Sequence, residues 1–241
     1  MEKSLEGRTV LITGSNGGLG EQFVNQALER GARKVYAAAR TPRQWDDTRI
    51  QALALDITDA QAVADAATLA SDVDLLVNNA AIAPAGDSMS GPEEELRRIF
   101  ETNFFGTLRV ANAFAPVLAT HGGGTILNIL SAAAWLGLST GYSVSKAAMW
   151  AATNGLRFQL QAQKTQVIGL LVGMIDTPMS TRWDVPKVSA ASVVAQAYDG
   201  VSDGAMEILA DEPTRGLKSM LSMKGEELYP MLHDQLASFK P

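Results

Sequence analysis

Tyr142 and Lys146 stand four residues apart in Tyr142-Ser143-Val144-Ser145-Lys146, with Ser131 a short way upstream. On a helix that spacing puts both side chains on one face. A free phenol ionises near pH ~10, and an ammonium beside it favours the charged form. Such a phenol would exchange a proton with a substrate oxygen near neutral pH. The spacing alone also fits an accidental pair on a solvated helix face, so the surrounding elements must decide.

Those elements begin with Arg8-Thr9-Val10-Leu11-Ile12-Thr13, an apolar, β-branched run that reads as a buried parallel strand. It stops in Gly14-Ser15-Asn16-Gly17-Gly18-Leu19-Gly20, and an amphipathic stretch from Glu21 to Arg30 follows at once. Strand, glycine turn and helix form the context in which backbone approaches a pyrophosphate at a helix N-terminus. The second strand, residues 34–40, ends in Ala39-Arg40 where an acidic residue would hold the ribose of NAD. An arginine there accommodates a 2′-phosphate, so NADP(H) is expected. Arg43 follows closely, and whether it shares that phosphate is left open.

The pattern repeats along the chain. A third strand at 52–55 ends at Asp56-Ile57, and Asp59 is expected to cap a helix reaching about Ala70. A fourth strand, 74–77, runs into Asn78-Asn79-Ala80-Ala81, where small residues let a cofactor lie close. A Pro/Gly loop spans 82–91, then a long helix from Pro92 or Glu93 to about Ala119 carries Asn103 beside Phe104 and Phe105. A mid-helix asparagine is costly to bury without partners, so a buried structural amide and a catalytic role both fit.

The fifth strand, 124–130, puts Ser131 at its carboxyl end; a small-residue loop with Trp135 then leads to the helix opening near Tyr142. The sixth strand, 166–172, feeds a loop in which Ile175 and Thr177 are placed to meet the cofactor's far end. Weaker signals give a helix at 189–201, a seventh strand at 205–209, a helix at 213–222 and an amphipathic tail at 226–239. Alternating strands and helices mean an α/β, doubly wound parallel sheet of the Rossmann type with about seven strands. Its ligands bind at the carboxyl ends of the strands, where these motifs fall.

Composition narrows the rest. The 241 residues suit a single dinucleotide-binding catalytic domain, 1–241, with a substrate loop at 173–188 and a helical tail at 213–241. A net charge of -6, scattered along the chain, argues against nucleic acid or an anionic membrane as partner. With no cysteine, disulfides, thiol catalysis and thiolate-bound metals are impossible, and the two histidines, His121 and His233, lie far apart; no metal is expected. The first seven residues are polar, and no apolar run reaches the ~18–20 residues of a membrane helix. A soluble, cytoplasmic protein is the expectation.

These residues together resemble the short-chain dehydrogenase/reductase family in its short single-domain branch, over about Leu5 to Pro178. The family's Thr-Gly-x-x-x-Gly-x-Gly motif lies on Thr13, Gly14, Gly18 and Gly20; Gly17 also satisfies the epimerase-type pattern, so the short chain and the Asn-Asn-Ala choose the branch. Ala81 replaces a glycine of the family's Asn-Asn-Ala-Gly, the Ser131-to-Tyr142 loop is slightly short, and Val172-Gly173 stands for Pro-Gly. The resemblance implies a tetrad of Asn103, Ser131, Tyr142 and Lys146, with cofactor contacts from Gly14, Asn16, Gly18, Leu19, Gly20, Arg40, Asp56, Ile57, Asn79, Ala80, Tyr142, Lys146, Ile175 and Thr177.

The activity implied is hydride transfer between NADP(H) and a ketone or secondary alcohol. In it Tyr142 moves the proton, Ser131 holds the reacting oxygen, Lys146 holds the nicotinamide ribose and lowers the Tyr142 pKa, and Asn103 holds a water leading to solvent. Trp135, Leu136, Met174 and Trp183 are expected to give an apolar pocket. Alternatives are an NAD-dependent alcohol dehydrogenase of the same family, a non-catalytic dinucleotide sensor, and a sugar-nucleotide epimerase or dehydratase. The resemblance also implies a homo-oligomer, dimer or tetramer, through the long helix around Asn103 and the small-faced helix after Tyr142.

Overall fold

The computed structural model describes residues 4–237. Strands β1 (Thr9–Thr13), β2 (Lys34–Ala39) and β3 (Ile50–Ala54) alternate with helices α1 (Gly18–Glu29) and α2 (Ala60–Leu69). β4 (Leu75–Asn78) leads to α3 (Glu93–Phe100) and α4 (Thr107–Thr120), with a π-helical segment, Glu101–Gly106, between them. β5 (Thr125–Ile129), α5 (Ala133–Leu136), α6 (Gly141–Leu160) and β6 (Gln166–Leu171) follow. The remainder holds β7 (Ile175–Asp176), β8 (Val188–Ser189), α7 (Ala190–Ser202), β9 (Glu207–Leu209), α8 (Glu212–Met220) and α9 (Gly225–Ala237).

Seven strands form one parallel sheet in the order β3-β2-β1-β4-β5-β6-β9. The pairing runs outward both ways from β1, with Val10 beside Val35 on one side and Leu75 on the other. That reversal of direction between β1 and β4 opens a crevice at the carboxyl ends of the strands. β1 and β4 are buried along their whole length, as a sheet covered on both faces requires.

Each face of the sheet has its own core. Under α1 and α7, Phe23 meets Tyr198 edge to face at 5.4 Å, with Val24, Val193 and Val194 around them. Under α2, α4 and α6, Phe114, Leu118, Met149 and Leu156 fill the other side. A smaller cluster, Ala132, Leu217, Leu228 and Leu232, fastens α8 and α9 beside the end of β5. The apolar side of the tail therefore packs within the chain. The predicted tail ran to Phe239, and residues past 237 lie outside the described part.

Several predicted elements shift. α1 starts at Gly18, inside the glycine motif and ahead of the amphipathic stretch; Gly18 itself has φ +55°, a left-handed conformation that suits glycine. The predicted single helix across Asn103 is three segments, since a π turn interrupts the α repeat. The loop carrying Trp135 contains the short helix α5, closed by Gly137 in the left-handed region. β7 and β8 pair in a small parallel ribbon that only long-range contact reveals. Asp59 caps α2 as expected, accepting from the Gln61 and Ala62 amides.

Candidate active site

At the carboxyl ends of the strands lies a cavity of about 1970 Å³, lined by residues from the glycine turn, the ends of β2 to β6, and α8 and α9. One end is made of backbone. Gly14 has φ +67°, and a Cβ there would come within 3.0 Å of the Ala80 Cα. A Cβ at Gly20 would sit 2.1 Å from the Gly14 carbonyl oxygen. No larger residue fits at that point of the turn.

The residues present suit a dinucleotide at this end. α2, α6, α7 and α8 carry side-chain caps; α1, whose first turn faces the cavity, has Gly17 at its N-cap and no side-chain cap. Uncapped amides at a helix N-terminus are an anion site. The buried Ser15 hydroxyl beside them has no hydrogen-bond partner among the described residues. Glu21, the one acid in that first turn, is paired with Arg43 at 2.7 Å, so its charge does not oppose a phosphate.

Of the predicted cofactor contacts, Gly14, Asn16, Gly18, Leu19, Arg40, Asp56, Ile57, Asn79, Ala80, Tyr142, Lys146, Ile175 and Thr177 line the cavity. Gly20 lies behind it, giving clearance to the turn. Asn16 clasps the stretch after β2: its Nδ2 donates to the Thr41 carbonyl at 2.7 Å, and its Oδ1 accepts from the Arg43 N–H at 3.3 Å. Asn79 Nδ2 donates to the Thr13 and Gly14 carbonyls at 2.9 and 3.0 Å, tying β4 to the turn. Asn78 Nδ2 likewise donates to Asn128 Oδ1 at 2.9 Å, linking β4 to β5. Thr177 rests against the turn, 3.4 Å from where a Gly18 Cβ would stand.

Arg40 is exposed at the cavity edge and makes no ion pair among the described residues. Hydrogen bonds from the Thr58 N–H and hydroxyl hold the Asp56 carboxyl below its usual range, with a smaller pull from Arg40. Arg43 is otherwise engaged: besides Glu21, its guanidinium stacks 3.8 Å above the Trp45 ring. Arg43 does not line the cavity.

Farther along, the ends of β5 and α6 bring Ser131, Tyr142 and Lys146 to one stretch of wall. Ser131 is buried, its Oγ accepting from the Ala133 N–H at 3.1 Å. Lys146 is buried too, and its Nζ donates to the Ile129 carbonyl at 2.7 Å while standing 5.7 Å from the Tyr142 ring centroid. Burial pushes the Lys146 ammonium down to about 8. Burial also pushes the Tyr142 phenol above its ordinary value, and a hydrogen bond with Ser131 draws it back. The sequence expectation was a phenol lowered by Lys146. Desolvation governs both groups, because burial disfavours the charged form of each.

Asn103 does not reach the cavity. It is 1% exposed, and its Oδ1 accepts from the Ile82 N–H at 2.8 Å. Its Nδ2 donates to the Ile82 carbonyl at 2.9 Å and to Ser145 Oγ at 3.1 Å. It supports the residue before Lys146 rather than touching Lys146.

At the other end, Leu136, Met174 and Trp183 line the cavity as expected, but Trp135 does not. The α5 turn directs its indole away from the cavity into the packed side of the sheet, where it meets Trp150 edge to face at 6.1 Å under the Lys218 ammonium. Leu217, Met220 and Leu232 supply the wall instead. Asp211 holds that wall in place, accepting from Gly173 N–H at 2.6 Å and from Thr214 N–H at 2.7 Å. Sequence reading missed these residues. Only the amphipathic pattern of the tail pointed to them, and it does not say what the apolar side covers.

The family model described as short chain dehydrogenase matches residues 8–187. The chain is 32% identical to the short-chain dehydrogenase ptmH of Penicillium ochrochloron over 98% of its own length and 91% of that protein's. It is 36% identical to the short-chain dehydrogenase PC-15 of Penicillium crustosum, over 77% of this chain and 73% of the other. A solved structure of a short chain dehydrogenase from Burkholderia cenocepacia J2315, in complex with NADP, superposes with a TM-score of 0.88 at 34% identity. That match covers 96% of this chain and 99% of the other.

Proposed function

The chain belongs to the short-chain dehydrogenase/reductase family of oxidoreductases, and from that membership we propose an NADPH-dependent carbonyl reductase acting on an apolar ketone. One observation carries the reading: Ser131, Tyr142 and Lys146 share a single cavity with the glycine turn and Arg40. That shared cavity supports the reading that a proton donor acts beside a dinucleotide. The dinucleotide, when bound, supplies the hydride in reduction and takes it back in oxidation.

The chain's own residues do the rest. The Tyr142 phenol gives its proton to the carbonyl oxygen, or takes one from the alcohol in the reverse direction. A phenol that burial keeps protonated is in the correct state for reduction. The Ser131 hydroxyl donates a hydrogen bond to the same oxygen and stabilises the negative charge that develops there. Lys146, held by the Ile129 carbonyl, has further N–H groups for the ribose hydroxyls and moves charge toward the phenol once the site fills. Asn103 keeps the helix beneath Lys146 in register through Ser145.

NADP(H) is favoured over NAD(H) because Arg40, exposed and in no ion pair among the described residues, stands where the ribose acid of an NAD enzyme would be. The NADP held by the Burkholderia relative points the same way. Purified protein given NADPH and a panel of aryl and cyclic ketones will consume the reduced nicotinamide absorbance. Turnover with none of them, or with NADH alone, refutes the reading. A non-catalytic sensor would be untouched in function by Tyr142→Phe; an enzyme keeps NADPH binding and loses turnover.

A homo-oligomer fits the exposed small residues Ala151 and Gly155 on α6, with Phe158 on the same helix 81% exposed and Phe105 nearby in sequence to Asn103 49% exposed. Gel filtration that shows a monomer overturns it. Among the described residues no helix is long and apolar enough to cross a membrane.

A further inference from the structure

The stretch from Ile82 to Gly91 reads in sequence as a plain connection. In the structure its first half, Ile82 to Asp87, lines the cavity and is fastened at two points to α6. At Ile82 the fastening runs through Asn103, whose Nδ2 donates to Ser145 Oγ; that hydroxyl donates in turn to the Tyr142 carbonyl at 2.7 Å. At Asp87 it is direct. Oδ1 accepts from the Gly141 N–H at 2.9 Å, and Oδ2 accepts from the Tyr142 N–H at 2.7 Å.

The first four amides of a helix have no partner within it. At α6 these are the amides of Thr140 to Ser143: the Thr140 amide donates to the Leu138 carbonyl at 2.8 Å, and the Thr140 hydroxyl takes the Ser143 amide at 3.1 Å. Asp87 takes the other two, with its negative charge at the positive end of the helix. Tyr142 is therefore gripped at both of its backbone polar groups, one by Asp87 and one by Ser145. Gly141 makes room for this: a Cβ there would lie 2.8 Å from Leu96 Cδ1 and 3.1 Å from Asp87 Oδ1.

We propose that Asp87 is a positioning residue for the Tyr142 phenol: the strap from Ile82 to Asp87 fixes the first turn of α6 and so sets where the phenol points. The proposal rests on the enzymatic reading given above. A phenol displaced by a fraction of an ångström loses alignment with the reacting oxygen, and the loss falls on kcat rather than on cofactor binding.

The comparison that tests it uses Asp59, another aspartate that accepts two first-turn amides, but on α2. Asp87→Ala should lower kcat about thirtyfold and leave the NADPH Kd within about twofold. Asp87→Asn, which keeps one acceptor, should recover about a third of that loss on a logarithmic scale. Asp59→Ala should lower the melting temperature as much as Asp87→Ala does and leave kcat within about twofold. Backbone hydrogen exchange reads the strap without turnover: the Gly141 and Tyr142 amides should exchange about tenfold faster in Asp87→Ala.

An unchanged kcat in Asp87→Ala overturns the proposal, as does a kcat that falls in both alanine variants in step with their melting temperatures. Should the wild type reduce no ketone, the enzymatic reading fails separately. Exchange then decides the strap: unaltered Gly141 and Tyr142 amides in Asp87→Ala, or in Asp87→Asn where the alanine variant does not fold, refute it.

Discussion

At one end of the cavity the walls are backbone: Gly14, Gly18 and the uncapped first turn of α1, set by residues adjacent in sequence. At the other end the walls are side chains, Leu136 from α5, Met174 from the loop after β6, Leu217 and Met220 from α8, and Leu232 from α9. The first end can be changed by a single added methyl group, because a Gly20 Cβ has no space beside the Gly14 carbonyl. The second tolerates exchange among apolar residues, since shape there is the sum of several pieces. Under the proposed function a fixed reagent binds at the rigid end, and variety in substrate is accommodated at the adjustable one. Tyr142 and Lys146 stand between them.

The contrast can be tested by substitution, and the largest effect belongs to the junction. Tyr142→Phe should lower kcat by about a thousandfold while the NADPH Kd, read by fluorescence, holds steady. A comparable loss of binding would mean that the phenol belongs to the dinucleotide end instead.

Lys146 gives the next largest effect, in stability. Its folded pKa of about 8 lies below the ordinary 10.5, so between those values the unfolded chain binds the extra proton. Stability of the ligand-free protein should therefore rise with pH across that window, by up to about 3 kcal/mol. Denaturant titrations at several pH values check this, and Lys146→Met should flatten the rise. Lys146→Ala should also weaken NADPH binding, unlike Tyr142→Phe.

Arg40→Ala should weaken NADPH about tenfold to a hundredfold and leave NADH nearly untouched, because one charge-assisted contact to phosphate is removed. Equal losses for both cofactors would move Arg40 out of the 2′-phosphate role. The smallest effect is expected at the adjustable end. Leu136→Ala should alter the ratio of kcat/KM between a small and a bulky ketone by about tenfold. Its NADPH Kd should not move; a shift there would show that the two ends are not separable.

Where the chemistry is local, the chain announced it. The glycine spacing, the Arg40 after β2, Asp59 before α2 and the Tyr142–Lys146 pair each depend on neighbours within a few residues, and each falls where it was read. Ser131 and Asn79 were legible too, because strand ends recur with a regular rhythm. The turn of Trp135 away from the cavity, the β7–β8 ribbon and the π segment at Asn103 were not, since each depends on packing between elements far apart in the chain.

The sequence by itself determined the main alternation of strands and helices in the sheet, the glycine turn, and the side chains able to move a proton. Their types and short-range spacings follow from backbone geometry and helix periodicity alone. Only the tertiary structure decided that Asn103 works from behind Ser145, that Trp135 faces away from the cavity, and that Asp87 grips Tyr142 across fifty-five positions. Those facts turn on distances between segments that the fold brings together, and no local pattern encodes a distance of that kind.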